Sequence, residues 1–209
     1  FDYLVYQLRQ QGIYLTLDFY SSRTLKAGDG VSGKGYKARI AIDPEARENL
    51  KRYIRNLMTH KNRYTGYSLA EDPALIAVNL VNEDYLAGTW KSTPETTALF
   101  QEAFKNWKEK HGFHEGKAEN ADPLFYRFLL ETHRKAMLEL VDFVHQELKS
   151  PVLITSFNAH VDPLGATLLK SFDFVDNHFY QDHPSYPEKA FRLPSAHKQK
   201  SSLENFCTF

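Results

Sequence analysis

Asn82 and Glu83 end the run Ala74–Glu83, ALIAVNLVNE, and are the residues of this chain best placed to do chemistry. A glutamate leaving a strand is most often a solvated charge. The alternative is a carboxyl group held where it can give or take a proton. Three other runs also end in polar side chains. Ile13–Tyr20 places Asp18 and Tyr20 on one face, Pro151–Asn158 finishes in Ser156 and Asn158, and FVDNHFY alternates Phe174, Asp176, His178 and Tyr180. His160, His178 and His183 have spacings that match no metal-ligand motif, so no metal is expected.

The backbone that must carry these groups is legible from periodicity. The Asn-Glu run is short, aliphatic and rich in Ile, Val and Leu, the pattern of a buried parallel strand. Split by two, Ile76, Val78 and Leu80 share one face, and Ala77, Asn79, Val81 and Glu83 the other. Ile13–Tyr20 divides the same way, with Ile13, Leu15 and Leu17 opposite Tyr14, Thr16, Asp18 and Tyr20. Helices are expected over Asp2–Gln11, from Asp43-Pro44 through Met58, over Pro94–Lys110, from Asp122-Pro123 to about Lys149, and near Leu164–Ser171. The two Asp-Pro pairs supply an N-cap followed by a proline at the first helical position. Alternating helices and strands imply parallel β/α units. In a β/α barrel the larger aliphatic face meets the helices and the other points inward, which would put Glu83 at the carboxyl end where such barrels build their sites.

VNLVNE resembles the fourth-strand signature of retaining glycoside hydrolases with (β/α)8 barrels, the clan of family 5 and its cellulase-like relatives. GIYLTLDFYSS resembles the passage into strand three of the same enzymes, with Tyr20 where many have His. The His-x-Tyr of FVDNHFY resembles their strand six. The resemblance departs at Asp84, where those enzymes usually carry Pro. It implies a single partial TIM (β/α)8-type domain over residues 1–209, holding strands three to six, with a helical insertion at about 85–121. A full barrel needs roughly 250 residues, so the remaining strands would come from chain segments outside this one; opening on Phe1 rather than Met is consistent with that. It further implies that Glu83 is the general acid/base, protonated at the outset, and that Asn82 holds the sugar 2-hydroxyl. His178, Tyr180, Asp18, Tyr20, Asn158, Trp90 and His183 would line the substrate site. The partner carboxylate, about 5 Å away in a retaining enzyme, is assigned to neither Glu188 nor Glu204, and is expected outside the chain, leaving the chain alone inactive.

Composition excludes other classes. Twenty-six Lys and Arg balance 26 Asp and Glu, without the basic excess of a nucleic-acid binder. No apolar run approaches the about 18 residues of a membrane span. Cys207 is the only cysteine, so the chain forms no internal disulfide and the compartment, secreted or cytoplasmic, stays open. The stretch Gly28–Gly35 carries a Gly-x4-Gly-Lys, but Gly35 stands where a phosphate loop needs Ser or Thr. It also leads into YKARIAI, read as non-helical, rather than straight into a helix. No cofactor is expected, and the resemblance implies a carbohydrate partner. A non-catalytic carbohydrate-binding relative, and less readily an α/β cofactor binder, are the alternatives.

Overall fold

The computed structural model describes residues 1–21, 35–158, 165–176 and 178. The chain divides into two compact units, Phe1–Asp176 and Asn177–Phe209, and of the second only His178 is described.

The first unit follows the order α1 (Asp2–Gln10), β1 (Leu15–Tyr20), α2 (Tyr36–Ile42), α3 (Pro44–Thr59), β2 (Leu75–Val81), α4 (Leu86–Thr89), α5 (Pro94–His111), α6 (Pro123–Asp142), β3 (Leu153–Thr155) and α7 (Ala166–Leu169). A π-helical turn, Phe143–Glu147, extends α6. The strands form one parallel sheet in the order β1-β2-β3, with the Asn-Glu strand in the middle. This is a mixed α/β architecture built on a small parallel sheet, as parallel β/α units require.

One face of β2 packs into the core as the period-two split implies. Val78 is 1% exposed and Leu80 fully buried, whereas Ile76, at the start of the strand, stays exposed. On the other face the register sets Asp18 beside Asn79 and Asn79 beside Thr155, a polar row across the sheet. Asn79 Nδ2 donates to Asp18 Oδ1 at 2.8 Å. These residues, with Thr16, Ala77 and Asp176, line a hollow of about 230 Å³.

The Asp-Pro helix starts form as the sequence implies. Asp43 accepts the Glu45 N–H ahead of α3, and Asp122 accepts those of Leu124 and Phe125 ahead of α6. Leu50, Ile54 and Met58 of α3 and Met137 and Leu140 of α6 are buried in one continuous core. Arg47 and Lys51 bind the two oxygens of Glu139 at 3.0 and 2.6 Å, tying α3 to α6. In α5, Phe100 and Phe104 are buried, but Leu99 is exposed.

The Asp122 cap yields a direct prediction. The Lys117 N–H, and after it those of Phe125 and Leu124, hold its carboxyl below the ordinary aspartate value, against an opposing push from burial. Asp122→Ala is expected to cost about 1 kcal/mol, read as a shift in urea midpoint. Because the folded pKa is depressed, this stabilisation is present above the unfolded value near ~3.9 and is lost as the pH falls through the folded one. The gap between parent and variant should therefore close below about pH 4.

Two sequence expectations need correction. YKARIAI is helical: it is α2, with Tyr36, Ala38, Ile40 and Ala41 buried against α3, α5 and α6. Its alternating apolar residues resemble a strand, but burial on several sides suits a short central helix better. Gly35 starts it at φ +88°, and a Cβ there would meet Ser92 Oγ at 2.9 Å and Thr96 Cγ2 at 3.0 Å, so the position requires glycine. The chain thus enters a helix directly after the glycine-rich stretch. The missing Ser or Thr at position 35 remains the argument against a phosphate loop; residues 28–34 lie outside the described residues. Second, Phe174, Val175 and Asp176 run beside β3 but are not a strand. One backbone bond, from the Asp173 N–H to the Ile154 carbonyl at 3.0 Å, is joined by two side-chain bonds, as Asp173 Oδ2 accepts the Ile154 N–H and Thr155 Oγ1 donates to the Phe174 carbonyl.

Candidate active site

β2 ends at Val81, and the ladder reaches one residue further where the Asn82 N–H donates to the Tyr20 carbonyl at 2.8 Å. Lys37 Nζ donates to the Asn82 carbonyl. The chain then breaks out of the pleat, because Glu83 has φ +51°, a left-handed conformation that costs a non-glycine residue about 1–3 kcal/mol. Strand alternation therefore stops at Val81 and does not fix the direction of the half-buried Glu83 side chain.

What holds this turn comes from the end of the neighbouring strand. Asn158 Oδ1 accepts the Glu83 N–H at 2.7 Å. Its Nδ2 makes longer contacts, 3.4 Å to Asn82 Oδ1 and 3.3 Å to Asp176 Oδ2. In the reverse direction, the Asp84 carboxylate accepts the Phe157 N–H at 2.8 Å, the Ser156 hydroxyl at 2.9 Å and His133 Nε2–H at 2.6 Å. Asp84 and His133 are each 2% exposed. Phe157 is itself left-handed, at φ +61°. Two strained residues at adjacent strand ends are thus bound to one another through side chains.

The other expected site residues separate into groups. Asp18 lies on the polar row, and Asn158 on the turn. Tyr20 is 5% exposed, with its ring 5.0 Å from that of Tyr36. Trp90 is 1% exposed, packed at 4.7 Å against Phe125 and donating through Nε1 to Asn120 Oδ1 at 2.6 Å. Its indole is committed to the core and leaves no face for a sugar to stack on, contrary to the lining role expected for it. His178 belongs to the second unit, and Tyr180 and His183 lie outside the described residues. Among the described residues no group of three metal-binding side chains gathers, and no helix is long and apolar enough to cross a membrane. Asn82 and Glu83 line neither the hollow of about 230 Å³ on the polar row nor those of about 350 Å³ between α1 and α3, about 420 Å³ beside His145 and Asp173, and about 510 Å³ beside Trp107 and Glu131.

The sequence marks Asp84 only as a departure from proline and assigns no role to His133. A signal for His133 existed: it falls on the stripe of Leu129, Ala136, Met137 and Leu140 in α6. An imidazole on a buried helical face requires a polar partner.

The sequence matches no family model and no curated protein. Six chains of solved structures match this one, three of which follow. An endo-1,4-beta-mannanase from Rhizomucor miehei is 22% identical, with 52% of this chain and 34% of that one covered and a TM-score of 0.33. An endo-beta-1,4-mannanase from Thermotoga petrophila is 20% identical, over 72% and 43%, at 0.35. The hyperthermostable endo-1,4-beta-D-mannanase from Thermotoga petrophila RKU-1, with maltose and glycerol, is 18% identical, over 81% and 63%, at 0.34. The chain spans less than two thirds of each.

Proposed function

We propose that this chain is part of a (β/α)8-barrel glycoside hydrolase, in which Glu83 is the general acid/base and Asn82 binds the sugar 2-hydroxyl. The observation that carries the reading is the Asn-Glu step itself. It stands at the carboxyl end of the middle strand of a parallel β/α sheet, with Glu83 in a left-handed turn fixed by the end of the next strand. Backbone strain of this kind is concentrated at functional sites, whereas a solvated charge leaving a sheet needs no such restraint.

The mechanism proposed is retaining. Glu83 protonates the departing glycosidic oxygen while a second carboxylate, supplied from outside this chain, attacks the anomeric carbon and forms a glycosyl ester. Deprotonated Glu83 then takes a proton from the water that cleaves the ester. Asp18, exposed on the polar row, is proposed to contact the sugar, whereas Asn158 is fully buried and holds the Glu83 turn in place of the lining role expected for it.

The test uses the intact protein on a panel of mannan, glucan and xylan oligosaccharides, with proton NMR following the first-formed anomer. Products that retain the substrate's anomeric configuration are expected. Inverted products, or no hydrolysis of any glycan in the panel, would overturn the reading. The 209-residue chain by itself should release no reducing ends.

A further inference from the structure

We propose that Asp84 is a positioning residue for Glu83, acting with His133 and Ser156 as a buried clamp; this rests on Glu83 being the acid/base. Glu83 is held from both sides by the end of β3. Its own N–H is fixed by Asn158, and the side chain of the next residue is fixed by His133, Ser156 and the Phe157 N–H. Three donors converge on one carboxylate that is 2% exposed, which leaves Asp84 no room to rotate. Backbone freedom at the Glu83–Asp84 peptide is thereby removed, and Glu83 stays left-handed without glycine at that position. The carboxylate replaces the stiffness that a proline ring would give the same position. His133 brings α6 into the clamp, and its ring meets that of Phe157 edge-on at 5.4 Å.

A misplaced proton donor has a particular kinetic signature. Bond cleavage slows most for leaving groups that need protonation and least for those that depart as stable anions. General loss of structure slows both alike. An error of about 1 Å in placement can cost on the order of 10²-fold.

The experiment compares Asp84→Asn, Asp84→Ala and Glu83→Gln with the parent in the intact protein. It measures kcat/KM on an unactivated oligosaccharide and on a dinitrophenyl glycoside. Asp84→Ala is expected to lose about 10- to 100-fold on the oligosaccharide, with a much smaller loss on the dinitrophenyl substrate and KM nearly unchanged. Asp84→Asn, which keeps an oxygen for the Phe157 N–H, should recover most of that loss. If Asp84→Ala does not fold, Ser156→Ala removes one donor alone and should show the same substrate dependence at a smaller size. Equal losses on both substrates, or none, overturn the positioning role. Glu83→Gln separates the two claims: if it stays active on the oligosaccharide, the acid/base reading itself fails, and if it alone shows the leaving-group signature, only the clamp fails.

Discussion

Glu83→Gln is expected to slow hydrolysis of unactivated glycosides by about 10²- to 10⁴-fold, the usual contribution of a positioned general acid or base. The substitution is nearly isosteric and leaves the Glu83 N–H on Asn158 Oδ1 and the Asp84 contacts in place, so the fold should be unaffected. The pH profile gives an independent sign. A donor must be protonated to act, so the parent's kcat/KM should fall on the alkaline side as Glu83 loses its proton. The glutamine variant has nothing to lose there and should show no such limb. Near-parental rates on a poor leaving group would end the assignment.

The second large effect is on stability. His133→Leu should destabilise the fold by about 1.5–3 kcal/mol, measured by denaturant unfolding. The Asp84 carboxylate would keep the Ser156 and Phe157 donors but lose its shortest contact, at a site 2% exposed. Hydrogen bonds to charged groups contribute about 1.5–3 kcal/mol. Against a typical stability of about 5–15 kcal/mol this is a large fraction. Replacing Asp84 by Leu as well removes the charge that His133 serves. The double variant should be milder than the sum of the single ones by about 1–3 kcal/mol. Strict additivity would show that the pair is not coupled.

Much of this architecture is legible in the sequence, because the signals are local. Asp43-Pro44 and Asp122-Pro123 cap helices by direct contact with residues two or three positions on. The aliphatic runs around Leu17, Val78 and Ile154 pair as parallel strands in chain order. Periodicity fails where a residue leaves its element. Nothing in the identity of Glu83 forecasts a positive φ, since residue preference would place glycine or asparagine there. Projection along β2 therefore could not set the direction of its side chain. Trp90 failed for another reason: a tryptophan has the same composition signature in a core as on a sugar platform, and only its packing against Phe125 and Asn120 separates the two. The Asp84 clamp was out of reach because its partners meet it only in three dimensions.

The partners of Asp84 lie 49, 72 and 73 positions further along the chain. On a ribosome adding about 5–20 residues per second, Asp84 emerges roughly 4–15 seconds before Ser156 and Phe157 do. Until then nothing obliges Glu83 to adopt its strained backbone. The geometry proposed for catalysis is thus acquired late in synthesis, and a nascent polypeptide arrested before Asn158 would contain the Asn-Glu dipeptide without the contact that holds its left-handed turn.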